Sequence, residues 1–424
     1  MKEIAKKPPM GWNSWDCYGA SVTESEVRSN AEYMAKHLRE YGWNHIVVDI
    51  QWYEPSADSN EYHDGAPLVM DEFSRLLPAP NRFASALGKN GSNAGFRVLA
   101  DYVHSLGLKF GIHILRGIPR QAVREGTKIW GTHLTAADIA DTTSVCEWNS
   151  DMYGVNPEKP GAQEYYDSII SMYADWGVDF LKVDDIARPY HKGEVELLNN
   201  AIEKTGRSIV LSLSPGATKT GDATHLAQYA NMWRISDDFW DRWPLLLEMF
   251  SYCEAWFPYV KRGHWPDADM LPLGKIGIRS MDGERMTRFT RDEQKTMMTL
   301  WCLLRSPLMM GGDLPSCDEW TLSLLTNRDL LHINRHSHAG RQVYRKEGEI
   351  VWAANDDNKT DYYLAQFNIS DEEVSIKTKL AFLGIEDEVE GYDIWNSCCV
   401  KVTKDKIESI VPPHGVALYR LSRK

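Results

Sequence analysis

Two short segments of the chain carry the residues best suited to chemistry on a substrate. The first reads Leu-Lys-Val-Asp-Asp, and in a β-strand its Lys182 and Asp184 point to the same face. A cation this close to a carboxyl group favours the ionised form, which a carboxylate nucleophile requires. The second places Asp237 and Asp238 between tryptophans, and apolar or like-charged neighbours raise a carboxyl pKa toward that of a general acid. A strand-end ion pair and a helix N-cap are the structural alternatives for these two segments.

These segments belong to a repeated pattern in which a short apolar run is followed by a helix-like stretch. Nearly continuous apolar runs indicate strands that are buried on both faces. We predict eight strands, at Gly11–Trp15, His45–Trp52, Leu108–Leu115, Val178–Asp185, Ser208–Ser214, Met232–Asp237, Trp265–Leu271 and Pro307–Asp313. Helical patterns separate them, for example at Thr23–Tyr41, Gly161–Trp176, Glu194–Thr205, Arg242–Tyr259 and Thr290–Leu304. The order predicts an α/β fold of the (β/α)₈ TIM-barrel type, and a doubly wound sheet is disfavoured because no Gly-rich phosphate loop follows the first strands.

The pattern changes near residue 330, after which short strands alternate with turns. We therefore predict a catalytic (β/α)₈ barrel over residues 1–330 and a small C-terminal antiparallel β-sandwich domain over residues 331–424. Two stretches, 53–95 and 119–157, are too long for ordinary barrel loops. They follow the second and third strands, so we expect both insertions to lie over the mouth of the barrel.

A barrel of this kind has its active site at the carboxyl ends of its strands. The polar residues at those ends are mostly aspartates: Asp49, Asp184, Asp185, Asp237, Asp238, Asp267, Asp269 and Asp313, together with His113 and Ser214. Such a ring suits divalent-metal catalysis or glycoside hydrolysis, in which two carboxylates act on an oxocarbenium-like transition state.

Composition excludes some classes of protein. The 424 residues carry 47 Lys and Arg against 60 Asp and Glu, and the net charge of −13 argues against a nucleic-acid partner. No apolar run is long enough to span a membrane, and the first residues lack the apolar core of a signal peptide. Seven scattered cysteines without a CxxC pair suggest reduced thiols. We therefore expect a cytoplasmic enzyme with no nucleic-acid partner and no membrane contact; its oligomeric state is left open.

The chain resembles glycoside hydrolase family 27, the α-galactosidases and α-N-acetylgalactosaminidases of the melibiase group. The resemblance rests on motifs that occur in order along nearly the whole chain: Pro9–Trp15, Asp49 with Trp52, Tyr102–Ile112, Leu181–Asp184, Trp233-Arg234 with Asp238, and Trp265–Leu271. It implies a retaining exo-α-glycosidase with a carbohydrate substrate, no cofactor and no metal, in which Asp184 is the nucleophile and Asp238 the acid/base. It also implies a set of substrate-binding residues: Trp15, Asp49, Trp52, His113, Lys182, Ser214, Ala217, Arg234 and Asp269.

Three departures from the family pattern concern the sugar that is bound. The second of two paired aspartates is replaced by Ile50, the usual tyrosine of the third strand by His113, and the cysteine-rich loops by the two insertions. A missing hydrogen-bond partner can change which sugar is preferred. Ser214 and Ala217 match the family version that has room for a 2-acetamido group, so α-N-acetylgalactosaminides and α-galactosides are weighed equally. A different α-linked sugar, a catalytically silent sugar-binding barrel and a metal-dependent enzyme are the alternatives.

Overall fold

The computed structural model describes residues 4–88, 91–214, 216–386, 388–403 and 405–423. Its first domain is built on an eight-stranded parallel sheet in which each strand pairs with its sequence neighbour. The strands are β1 Met10–Asn13, β2 His45–Val48, β3 Lys109–Leu115, β4 Phe180–Asp184, β5 Val210–Leu213, β6 Met232–Arg234, β7 Trp265–Asp267 and β8 Leu308–Met310. Strand β1 pairs with β8, and a parallel bridge between Leu271 and Met310 links the chain after β7 to β8, which closes the barrel. The predicted TIM barrel is confirmed.

Side chains that point into the barrel change character along each strand. The lower inward positions are apolar, and together they form one buried cluster: Val47, Phe180, Val210, Met232, Trp265 and Met309. Two residues further along the same strands the inward positions are polar, as with Asp49 after Val47 and Lys182 after Phe180. Because side chains on one face recur every second residue, the apolar layer forms the floor of a polar mouth.

Helices cover the outside of the barrel. They are α1 Glu24–His37, α2 Arg97–Ser105, α3 Ala162–Trp176, α4 Lys192–Thr205, α5 Ala223–Tyr229, α6 Trp243–Trp256, α7 Arg291–Leu304, α8 Glu319–Leu325 and α9 Arg328–His336. Helix α1 begins with a capping box, in which the Thr23 N–H donates to Glu26 at 2.9 Å. Within the described ranges, no helix combines the length and the apolar character that a membrane crossing needs.

The two insertions form compact irregular structure between barrel strands. The described residues of the first insertion, 53–88 and 91–95, contain one 3₁₀ turn, Ala84–Ala86, besides turns and isolated bridges. Residues 119–157 contain two short helices, Arg120–Glu125 and Ala136–Ile139, and two strands, Ala140–Val145 and Met152–Val155. The latter two strands pair with each other, and Met152–Val155 also pairs with Ile118–Pro119.

The C-terminal domain is a β-sandwich, as predicted. Its strands are β9 Ser337–Lys346, β10 Glu349–Asp356, β11 Asp361–Asn368, β12 Val374–Lys379, β13 Val389–Asp393, β14 Cys398–Val400, β15 Lys406–Val411 and β16 Val416–Arg423. Six of them form one antiparallel sheet in the order β9-β10-β11-β16-β13-β14, and β12 pairs with β15 over its buried face. The domain packs on the barrel helices, where His414 stacks on Trp243 with ring centroids 3.8 Å apart.

Candidate active site

A cavity of about 470 Å³ opens at the carboxyl ends of the barrel strands. Seven of the residues predicted to act on the substrate line it: Trp15, Asp49, Lys182, Asp184, Arg234, Asp238 and Asp269. They come from β1, β2, β4, β6 and β7 or from the turns that follow these strands. The barrel register therefore brings together residues that are far apart in the sequence.

A buried ion pair occupies one side of the cavity. Lys182 Nζ lies 2.8 Å from Asp49 Oδ2, with side-chain exposures of 14% and 2%. Asp49 also accepts hydrogen bonds from the Asn13 side-chain amide at 2.7 Å and the Ile50 N–H at 2.9 Å. Burial would raise the pKa of Asp49, but Lys182 and His113 outweigh it and hold that pKa well below its usual value. Burial would likewise lower the pKa of Lys182, but Asp49 and Asp184 raise it, so this pair remains charged.

Asp184 is held through both carboxylate oxygens. His113 Nε2 lies 2.9 Å from its Oδ2, and the N–H of Asp185 donates to its Oδ1 at 2.7 Å. The His113 side chain is fully buried, and its backbone carbonyl accepts the indole N–H of Trp52 at 2.7 Å. Asp184 itself is 9% exposed and faces the cavity. His113 therefore fixes the orientation of Asp184 from behind, while Asp184 presents its carboxylate to a bound molecule.

Arg234 connects the carboxylates on the opposite side. Its guanidinium lies 2.8 Å from Asp269 and 3.1 Å from Asp238. Asp269 is buried and accepts the N–H of Phe239, whereas Asp238 is 55% exposed at the mouth. Below them, burial and the charge of Asp269 raise the pKa of Asp267 to about 7. Asp238 is thus a solvent-accessible carboxyl group beside Arg234, from which a proton can be exchanged with water.

Four predicted substrate-binding residues lie elsewhere. His113 is behind Asp184, as described, and Trp52 is a fully buried core residue packed among Tyr53, Phe96 and Trp176. Ser214 is buried inside the barrel, in a small space below the mouth, and neither Ser214 nor Ala217 lines the cavity. The following Gly216 has a φ of +98°, which turns the chain after β5 away from an ordinary extended path.

Several residues that face the cavity were not among the predicted ligands. Tyr62 and Trp148 come from the two insertions, and their aromatic character in segments expected over the mouth was the available signal. Ile50 also lines the wall, next to Asp49. Asp16 is 3% exposed, its Oδ2 has no hydrogen-bond partner among the described residues, and burial followed by repulsion from Asp269 raises its pKa well above the usual value.

The comparisons with known proteins agree with this geometry. Residues 154–336 match the family model described as "Alpha galactosidase A", and residues 347–421 match "Alpha galactosidase C-terminal beta sandwich domain". Alpha-galactosidase 2 of Arabidopsis thaliana is 26% identical over 99% of this chain and 91% of its own length. The alpha-N-acetylgalactosaminidase of Gallus gallus is 26% identical over 99% of this chain and 95% of its own.

Some solved structures are more similar in sequence than these relatives. A β-L-arabinopyranosidase of family 27 from Geobacillus stearothermophilus is 55% identical, covers 99% of this chain and 97% of its own, and has a TM-score of 0.96. A variant of that enzyme in complex with arabinose matches with a TM-score of 0.97. The chain belongs to glycoside hydrolase family 27 and is a glycosidase.

Proposed function

We propose that this enzyme is an exo-acting glycosidase that releases terminal β-L-arabinopyranosyl residues. The observation that carries the proposal is Ile50 on the wall of the cavity, beside Asp49. β-L-Arabinopyranosides and α-D-galactopyranosides have the same configuration at C1 to C4 and differ at C5, where arabinopyranose lacks the hydroxymethyl group. A carboxylate at position 50 would accept a hydrogen bond from the O6 hydroxyl of galactose. The Ile50 side chain has no hydrogen-bond acceptor, so it would leave that buried hydroxyl unpaired. The Geobacillus stearothermophilus relative supports the same sugar.

The reaction follows from the placement of two carboxyl groups. Asp184 attacks the anomeric carbon while Asp238 donates its proton to the glycosidic oxygen, so the C–O bond to the leaving group breaks and a glycosyl–Asp184 ester forms. Asp238 then takes a proton from water, and that water oxygen attacks the anomeric carbon and releases Asp184. Two inversions give net retention. The fixed orientation of Asp184 and the exposure of Asp238 support these roles.

Terminal α-galactosides are the second candidate. Their ring carries the same hydroxyl pattern for the Asp49–Lys182 pair, and the curated relatives that match over almost the whole chain include α-galactosidases. Terminal α-N-acetylgalactosaminides are the third candidate. Ser214, which was expected to leave room beside O2, lies in a small space that shares Lys182, Arg234 and Asp269 with the cavity.

The test compares kcat/KM for the p-nitrophenyl β-L-arabinopyranoside, α-D-galactopyranoside and α-N-acetylgalactosaminide. We expect the wild type to prefer the arabinopyranoside. Ile50→Asp should move the preference toward the galactoside by about 10- to 150-fold, because a hydrogen bond to a charged group contributes about 1.5–3 kcal/mol. Ile50→Leu, which stays apolar, is the matched control. A wild-type preference for either hexose, or an unchanged ratio in Ile50→Asp, contradicts the proposal.

A further inference from the structure

Three aromatic rings form a wall of the cavity in which each ring contacts the next. Trp15, at the end of β1, stacks on Tyr62 with ring centroids 6.1 Å apart and planes inclined by 20°. Tyr62 in turn contacts Trp148, with centroids 5.6 Å apart and planes inclined by 42°. Trp15 and Tyr62 are half-buried, while Trp148 is 39% exposed. The wall therefore ends in an open indole face at the rim.

Both insertions are fixed to the barrel by buried polar contacts. The Arg82 guanidinium is buried and donates to the carbonyls of Gln51, Glu54, Ala20 and Val22. Asp151 accepts from the Gln51 amide at 3.1 Å and the Tyr53 hydroxyl at 2.9 Å, which ties the second insertion to the first. Trp148 lies between the buried residues Cys146 and Asn149. Its exposure thus occurs on an anchored segment, which keeps the ordering cost of binding low.

The position of the leaving group follows from Asp238. This carboxyl group protonates the glycosidic oxygen, so whatever leaves must lie on the side of the cavity where Asp238 is exposed, toward the mouth. Asp238 and Trp148 line the same cavity. Its volume of about 470 Å³ lies within the range of pockets that hold drug-sized ligands, which leaves room beyond one pentopyranose ring.

We propose that Trp148 forms the leaving-group subsite and selects substrates whose leaving group is a second sugar ring. The apolar face of a pyranose packs on an aromatic ring, and an indole that is open at the rim provides such a surface. Trp15 and Tyr62 continue this surface toward the glycone end. A small alcohol as leaving group has no ring face to pack on this surface, so the aromatic rings do not strengthen its binding. The inference rests on the glycosidase chemistry above but on no particular glycone.

The test uses one glycone, whichever the wild type hydrolyses best, with two leaving groups: a second sugar ring in a disaccharide, and fluoride in the glycosyl fluoride. Trp148→Ala should lower kcat/KM for the disaccharide by about tenfold, the size of an aromatic packing contribution, and leave the fluoride within twofold. Trp148→Phe keeps a ring and should retain most of the activity on the disaccharide. Trp130→Ala is the matched control, because Trp130 is 51% exposed and does not line this cavity.

Equal losses on both leaving groups, or no loss on the disaccharide, would overturn the proposal. Inhibition by the free monosaccharide, which occupies the glycone end alone, should be unchanged in Trp148→Ala. A wrong assignment of the glycone appears in the comparison of p-nitrophenyl sugars instead, so the two proposals fail separately. If Trp148→Ala does not fold, Trp148→Leu, which also removes the ring, carries the same comparison.

Discussion

Replacing Lys182 by Met tests the electrostatics of the site most directly. Lys182 Nζ and Asp49 Oδ2 are 2.8 Å apart and almost completely buried. Coulomb's law gives about 6 kcal/mol for unit charges at this distance with an effective dielectric constant of about 20. The variant leaves Asp49 with two neutral donors, the Asn13 amide and the Ile50 N–H, which offset part of the loss. We therefore expect the free energy of unfolding to fall by about 3–5 kcal/mol, the usual cost of leaving one buried charge unpaired.

The matched control removes both charges. Lys182→Met with Asp49→Asn also removes the carboxylate that is ion-paired with Lys182, so the double variant should recover most of the lost stability while remaining inactive. Denaturant-induced unfolding of the complete chain, followed by tryptophan fluorescence, measures both effects. The reasoning is refuted if Lys182→Met costs less than about 1 kcal/mol, or if the double variant is no more stable than the single one.

Two further predictions concern the carboxyl groups. Asp184→Ala and Asp238→Ala should both abolish hydrolysis of the disaccharide in folded protein. Only Asp238→Ala should form the glycosyl intermediate from a glycosyl fluoride, because fluoride leaves without a proton. Substantial activity of Asp184→Ala on any substrate contradicts its role as nucleophile. Burial raises the pKa of Asp267 to about 7, against about 3.9 in the unfolded chain. Between these two pH values the folded state binds one proton more than the unfolded state. The free energy of unfolding should therefore fall as the pH rises from about 4 to about 7. Asp267→Asn should flatten that part of the curve of melting temperature against pH, and an identical curve would show that Asp267 is already ionised.

The sequence was sufficient to predict the barrel because its strands are buried on both faces and therefore read as apolar runs. It overestimated strand length at the carboxyl ends. The predicted strand His45–Trp52 ends at Val48, since the chain turns at once and Gln51 adopts a φ of +61°. That turn is part of the site, because it places Asp49 and Ile50 on the cavity wall. A pattern of apolar residues carries no information about such a turn.

Residue type was a good guide for charged side chains and a poor one for aromatic and small ones. Lys182, Asp184 and Arg234 are costly to bury, so their position at strand ends already indicated a shared polar site. Trp52 is a tryptophan that follows a barrel strand, as Trp15 is. Trp15 lines the cavity, but Trp52 packs in the core and donates its indole N–H to the backbone carbonyl of His113. Burying a tryptophan is favourable both in the core and in a cavity wall, so the sequence alone could not distinguish the two positions.

The two ends of the cavity are built by different parts of the fold. Residues that face the glycone project from barrel strands, so the register of the parallel sheet fixes their mutual positions. The open rings at the mouth belong to insertions that depend on Arg82 and Asp151 for their placement, and the described cysteines are all free, so no disulfide contributes. A substitution of Trp148 itself leaves these contacts in place, and with them the turn at Gln51 that carries Asp49 and Ile50. Preference for the leaving group can therefore change while the glycone and the chemistry stay the same.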